Sequence, residues 1–206
     1  MAVTTLIIAR HGNTFAPDEP PRRVGARTDL PLVPSGRDQA KKLGLYLRDH
    51  NLTPQRIFTS ELQRTRQTAE LASAAFGKNI TTTALPAFNE IDYGPDENQT
   101  ENVVKSRLGE DALMAWEQDG TMPDGWSPSA EQIRTAWFDF AASLTELDTT
   151  LVVTSNGIAR FALHLTGQWD HNRTQSGLKL STGALSILTR RKDDAVWTLA
   201  GWNIRP

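Results

Sequence analysis

The fold class that this sequence predicts is α/β, a three-layer sandwich around a mostly parallel central sheet. Two observations carry it. The unbroken apolar run Leu6-Ile7-Ile8-Ala9 has the pattern of a strand buried on both faces, and short apolar segments alternate along the chain with longer stretches of helical period. In such sheets ligands bind beyond the carboxyl ends of the strands, so the residues that follow each apolar run are the first candidates for chemistry.

Taken in order, the first strand ends on Arg10-His11-Gly12. The connector Phe15 to Pro34 is rich in Pro, Arg and Asp and has no sustained period, so it reads as a loop of functional length. Ser35 is expected to cap a helix whose Ala40, Leu43 and Leu47 share one face. Arg56 to Thr59 reads as a second strand and Glu61 to Phe76 as an amphipathic helix through Leu62, Ala69 and Leu71. A third short strand is expected at Ala84 to Phe88, and helices at Thr100 to Gln118 and Ala130 to Leu147, separated by the breakers Pro123, Gly125 and Pro128. Thr150 to Thr154 is a strand followed by a helix at Ile158 to Leu165. Gly183 to Thr189 and Val196 to Trp202 alternate as two closing strands across a polar turn. The chain shows no repeat, low-complexity segment or linker, so residues 1–206 are expected to form a single domain.

Composition narrows the function classes. Apolar residues make up 38% and charged residues 22%, ordinary values for a globular protein. The net charge of −2 gives no general attraction to nucleic acid or anionic lipid, so neither is expected as a partner. Cysteine is absent, which excludes disulfides, thiolate nucleophiles and thiolate metal sites. No apolar stretch reaches membrane-spanning length, and the N-terminus lacks a signal-peptide pattern, so a cytoplasmic location is expected. There is no His-x-His, no Asp-x-Asp at a strand end and no Gly-rich loop ending in Lys-Ser or Lys-Thr. Neither a metal nor any other cofactor is therefore expected. Oligomeric state carries no sequence signal.

Polar groups gather at one strand end after another. His11 and Arg10 close the first, "TSELQRTRQTA" follows the second and places Arg64 and Thr68 one helical turn apart, "FNEIDYG" offers Glu90 and Asp92, and "LVVTSNGIAR" offers Ser155 and Asn156. Together with "ARHGNT", "GARTDLPLVPSGRDQA", "GALSIL" and "VWTLAGWN", these segments resemble, in order and over nearly the whole chain, the phosphoglycerate-mutase-like histidine phosphatase superfamily.

The resemblance implies a phosphatase acting on a small phosphorylated substrate. His11 would be the nucleophile that takes the phosphoryl group, and Arg10 and Arg64 would hold phosphate oxygens. Glu90 would protonate the leaving oxygen, with Asp92 the competing carboxyl and Glu90 preferred by the motif. Physics supports the assignment, because a guanidinium fork matches phosphate geometry, and two nearby arginines favour the neutral imidazole, the only form with a lone pair for attack. Asn13 and Thr14 follow the nucleophile directly and could orient the phosphate by hydrogen bonds or merely cap the loop, with Asn13 the candidate phosphate ligand. Of the loop arginines, Arg23 or Arg27 is the better candidate for a substrate contact, with Arg22 adding to the field; Arg66 and Arg160 are read as structural.

One departure stands out. Where the family has a second histidine followed by glycine, this chain has Ser155-Asn156-Gly157, so a phosphate-facing donor is weakened, with Asn156 able to supply an amide instead. Loss of one such donor lowers rates by roughly a hundredfold to a thousandfold. None of His50, expected at a helix end, His164, in the late helix, or His171, in a polar loop, replaces it. The alternatives are a mutase-type phosphoryl transfer and a phospho-ligand binding protein with impaired catalysis. The segment Pro95 to Gln132 sets Asp96, Glu97, Glu101, Glu110, Asp111 and Glu117 against Lys105 and Arg107, a balance poorly suited to a carboxylate substrate, which favours a phosphatase over a mutase.

Overall fold

The computed structural model describes residues 3–144 and 147–206. Six strands, β1 (Val3–Arg10), β2 (Arg56–Thr59), β3 (Thr82–Ala84), β4 (Thr149–Thr154), β5 (Leu185–Arg191) and β6 (Thr198–Ile204), form one sheet in the order β3-β2-β4-β1-β5-β6. β1 pairs in parallel with β4, β4 with β2 and β2 with β3, whereas β5 is antiparallel to both β1 and β6, so the sheet is mixed.

The period of a strand explains the layering. Alternate residues of β1 and β4 point to opposite faces. Ile7, Ala9, Leu151 and Val153 pack against Leu43 and Leu47 of helix α1 (Pro34–Asp49) and Ala69 and Ala72 of α2 (Gln63–Ala75). Leu6, Ile8 and Val152 belong to the second core, on the other face, with residues such as Val104 of α3 (Glu101–Leu108), Trp116 of α4 (Glu110–Asp119) and Trp137 of α5 (Ala130–Ser143). Trp137 is 1% exposed and donates its indole N–H to the Ile158 carbonyl at 2.9 Å, so the large ring is buried without an orphaned donor.

Several element boundaries differ from the sequence reading, each for a local reason. Ser35 does not cap α1. Pro34 occupies the first turn, where its missing N–H costs nothing, so the helix starts two residues earlier with Val33 at the N-cap. The third strand lies at Thr82–Ala84, and Pro86–Phe88 is a short 3-10 turn. The expected helix from Thr100 to Gln118 is two helices, because Gly109 takes φ +81° between α3 and α4. The helix behind β4 consists of one α turn, α6 (Asn156–Ala159), continued by a 3-10 segment over Arg160–Thr166. His171 sits on a helix, α7 (Trp169–Ser176), rather than in a loop. The predicted extension of α5 through residues 145–146 lies outside the described residues. Among the described residues no helix is long and apolar enough to cross a membrane.

α1 and α2 cross closely because Gly44 carries no side chain. A Cβ there would stand 2.2 Å from the Ala72 carbonyl oxygen and 2.8 Å from the Ala75 Cβ. Alanine is the better helix former by about 1 kcal/mol, but the clash with backbone forces the helices apart at about 1–3 kcal/mol. Gly44→Ala is therefore expected to destabilise the fold on balance, read as a lower urea midpoint; an unchanged or raised midpoint would show that the helices are not in contact at this point.

Candidate active site

β1 delivers its last residue, Arg10, and then His11 to the carboxyl edge of the sheet, where the His11 N–H donates to the Thr154 carbonyl of β4 at 3.0 Å. Gly12 follows because nothing larger fits: a Cβ there would lie 2.2 Å from the Gly36 carbonyl oxygen at the start of α1. The Gly12 N–H in turn donates to Thr68 Oγ1 at 3.1 Å, and that hydroxyl donates to the Arg64 carbonyl at 2.7 Å. The loop after β1 is thus set against the start of α1 and fastened to the second turn of α2.

The consequence is a fully specified imidazole. His11 Nδ1 lies 2.7 Å from the Gly12 carbonyl, which can only accept, so Nδ1 carries the proton. Nε2 then keeps its lone pair and accepts from Arg64 Nε at 3.2 Å. Arg64 is held by its other nitrogens, which donate to the carbonyls of Thr28 at 2.9 Å and Gly25 at 3.1 Å. Burial first, and then the guanidinium groups of Arg64 and Arg10, hold the His11 pKa well below the usual imidazole value, with the Gly12 carbonyl opposing them.

His11 lines a cavity of about 590 Å³ whose walls also include Arg10, Asn13, Arg23, Glu90 and Asn156. Arg10 donates to the Leu180 carbonyl at 2.9 Å, while its buried Nε has no partner among the described residues. Glu90, 5% exposed, accepts from the backbone N–H groups of Ile91 at 2.9 Å and Gly157 at 3.1 Å. Asn13 accepts from Thr182, and Asn156 accepts from the Leu180 N–H at 2.7 Å, which leaves its amide nitrogen without a partner among the described residues. Arg23 is bound to Glu101 at 2.6 Å and lies over the rings of Tyr93 and Trp126.

Three sequence-derived candidates are placed elsewhere. Arg27 points away from this cavity, with Nε on Asp92 Oδ1 at 2.9 Å and a terminal nitrogen on the Gly94 carbonyl at 2.6 Å, so of the two loop arginines it is Arg23 that faces the site. Asp92 is engaged by Arg27 and by the Gly94 N–H and is not on the cavity wall, which separates it from Glu90. Ser155 is 1% exposed, lies off the wall, and its hydroxyl has no partner among the described residues.

The sequence reading missed Tyr93, Trp116 and Lys179, all on the wall. Tyr93 stood inside a quoted motif, three residues after Glu90; burial, with Glu90 adding, raises its phenol above the ordinary value, so it stays protonated. Lys179 lies in the stretch between α7 and β5, where nothing in the local pattern marks a binding residue. Arg160 is fully buried, stacked 3.9 Å over Trp116 and donating to the Trp116 carbonyl at 2.7 Å, and so fixes the wall from behind. Among the described residues no group of three His, Asp or Glu side chains is arranged to hold a metal ion.

Residues 6–205 match the family model described as histidine phosphatase superfamily (branch 1). A probable phosphoglycerate mutase GpmB of Salmonella arizonae is 30% identical over 205 residues, covering 95% of this chain and 88% of that protein. Among solved structures, a mycobacterial glucosyl-3-phosphoglycerate phosphatase superposes with a TM-score of 0.78 at 23% identity, over 98% of this chain and 99% of the other. A phosphoglycerate mutase of Bacillus anthracis superposes with a TM-score of 0.80 at 18% identity, over 98% and 94%.

Gly157 is what lets Glu90 reach its place: a Cβ at this position would stand 2.3 Å from the Glu90 carboxylate oxygen. Gly157→Ala is expected to displace that carboxylate and, since misplacing a reacting group by about 1 Å costs on the order of a hundredfold, to cut turnover of an aryl phosphate by that order. Parent-like turnover in a steady-state assay of the folded variant would mean that Glu90 takes no part in the reaction.

Proposed function

This chain belongs to the histidine phosphatase superfamily, and on that premise we propose that it is a metal-independent phosphatase that works through a phosphohistidine at His11 on a small phosphate ester. The observation that carries the reading is the tautomer: a buried imidazole with its proton on Nδ1 and its Nε2 lone pair directed at a guanidinium nitrogen 3.2 Å away.

In the proposed reaction the ester phosphoryl enters between Arg10, Arg64 and His11, and Arg64 Nε exchanges its bond to Nε2 for one to a phosphoryl oxygen. Nε2 attacks phosphorus and the bond to the ester oxygen breaks. Glu90 gives its proton to the leaving oxygen. Water then attacks the phosphohistidine, Glu90 takes the water proton, and the P–N bond breaks to release inorganic phosphate and restore both groups. The protein's contribution is positioning and charge, as phosphoryl transfer requires.

Two other readings have an observation behind them. The sequence relatives named as probable phosphoglycerate mutases favour transfer of the phosphoryl group back to a sugar acid. The position of the Ser155 hydroxyl, off the wall and without a partner among the described residues, favours a protein that binds phosphate esters with little turnover.

His11→Ala is expected to lower hydrolysis of p-nitrophenyl phosphate in metal-free buffer by about a thousandfold or more, the scale seen when a nucleophile is removed. Equal rates in parent and variant would refute the phosphatase, and rapid isomerisation of phosphoglycerates without net phosphate release in a coupled assay would replace it with the mutase.

A further inference from the structure

Resting on the phosphatase reading, we propose that Arg22 and Lys179 form a subsite for a second anionic group of the substrate, apart from the phosphoryl group that reacts at His11. The balance of charge around the cavity leaves these two cations in excess of its remaining carboxylate. Arg10 belongs to the phosphate cradle, and Arg23 is neutralised by Glu101. Glu117 faces the buried Arg160 at 3.5 Å, and Glu90 is taken by two backbone N–H groups beside the reacting centre. What remains on the wall is Arg22, Lys179 and Glu19. Glu19 closes a turn, accepting from the Ala16 N–H at 2.9 Å, and keeps its charge, so it offsets one of the two cations and leaves the other in excess. Arg22 and Lys179 have no carboxylate partner among the described residues, and both are exposed at the cavity.

The acidic segment Pro95 to Gln132 does not oppose this subsite. Of its carboxylates, the two that reach the wall, Glu101 and Glu117, are each matched by an arginine from elsewhere in the chain. On the wall that acidity is matched within the protein, and away from the reacting centre Arg22 and Lys179 against Glu19 leave an excess of positive charge for a ligand. Arg22 is held over the Phe15 ring at 6.0 Å, and Lys179 is next to Leu180, whose carbonyl anchors Arg10. The two cations thus approach from different loops, one on the segment after β1 and one before β5, and an ester bearing a carboxylate or a second phosphate away from its reacting phosphoryl would meet them.

Calorimetric titration with non-hydrolysable phosphonates tests this. Butylphosphonate presents one anionic end, phosphonobutyrate adds a carboxylate and butane-bisphosphonate adds a second phosphonate. The parent is expected to bind at least one of the two doubly anionic ligands about tenfold more tightly than butylphosphonate, as for a charge-assisted contact in a partly enclosed site. Which of the two gains identifies the second group as carboxylate or phosphate. Arg22→Ala/Lys179→Ala is expected to bring that ratio close to one, and Arg22→Glu/Lys179→Glu to invert it. Both side chains are exposed, so their removal leaves both cores intact. The proposal is overturned if the parent shows no preference, if the preference survives in the double alanine variant, or if Lys179→Ala weakens all three ligands alike, which would assign that lysine to the reacting phosphoryl. Binding as expected without any hydrolysis by the parent would overturn the phosphatase reading alone; failure of all three ligands to bind would overturn both.

Discussion

The bond from Arg64 Nε to His11 Nε2 is the constraint on which the rest of the site depends. It exists only if the imidazole is neutral and protonated on the other nitrogen, and the Gly12 carbonyl 2.7 Å from Nδ1 makes that tautomer the satisfied one. Building it requires two elements distant in sequence to arrive within 3.2 Å of each other. β1 supplies the histidine at its carboxyl end, and α2 supplies the arginine from its first turn. The contacts between Gly12 and Gly36 and between Gly12 and Thr68 set their separation, which is why a residue without a side chain follows the histidine.

The same constraint has a thermodynamic cost. A buried imidazole whose pKa is held low in the folded state is more readily protonated in the unfolded chain. Stability contributed by this group is present above the ordinary imidazole pKa and is lost as pH falls from there toward the depressed folded value. His164 acts in the same direction, since burial, aided by Arg134, pushes it down to about 4 while it stacks 3.8 Å from Trp169. Arg64 is stabilised by being wrapped in carbonyls, so its charge is retained without a carboxylate partner that would cancel its field at His11.

Much of this was legible in the sequence because the relevant signals are local. Leu6 to Ala9 ending on Arg10-His11 gave the strand and its functional edge, and the one-turn spacing of Arg64 and Thr68 placed both on the side of α2 that meets Gly12. What was not legible depends on contacts between distant segments. Nothing around Arg27 distinguishes it from Arg23; the first pairs with Asp92, 65 positions along the chain, and the second with Glu101, 78 positions along. Lys179 reaches the cavity only because the stretch after α7 returns to Arg10. The net charge of Pro95 to Gln132 likewise does not tell which of its carboxylates are matched from elsewhere, as Glu101 is by Arg23 and Glu117 by Arg160. Ser155 was visible as a departure, but not that its hydroxyl would be buried off the wall.

The central claim concerns one proton on one ring, and long-range proton–nitrogen correlation spectroscopy of selectively labelled His11 reads it directly. Over a titration from about pH 8 to about pH 5, which brackets the ordinary imidazole value, the account predicts a ring that stays neutral through the usual transition, with Nδ1 protonated and Nε2 bare. A transition at the ordinary value, or a neutral ring carrying its proton on Nε2, would contradict it.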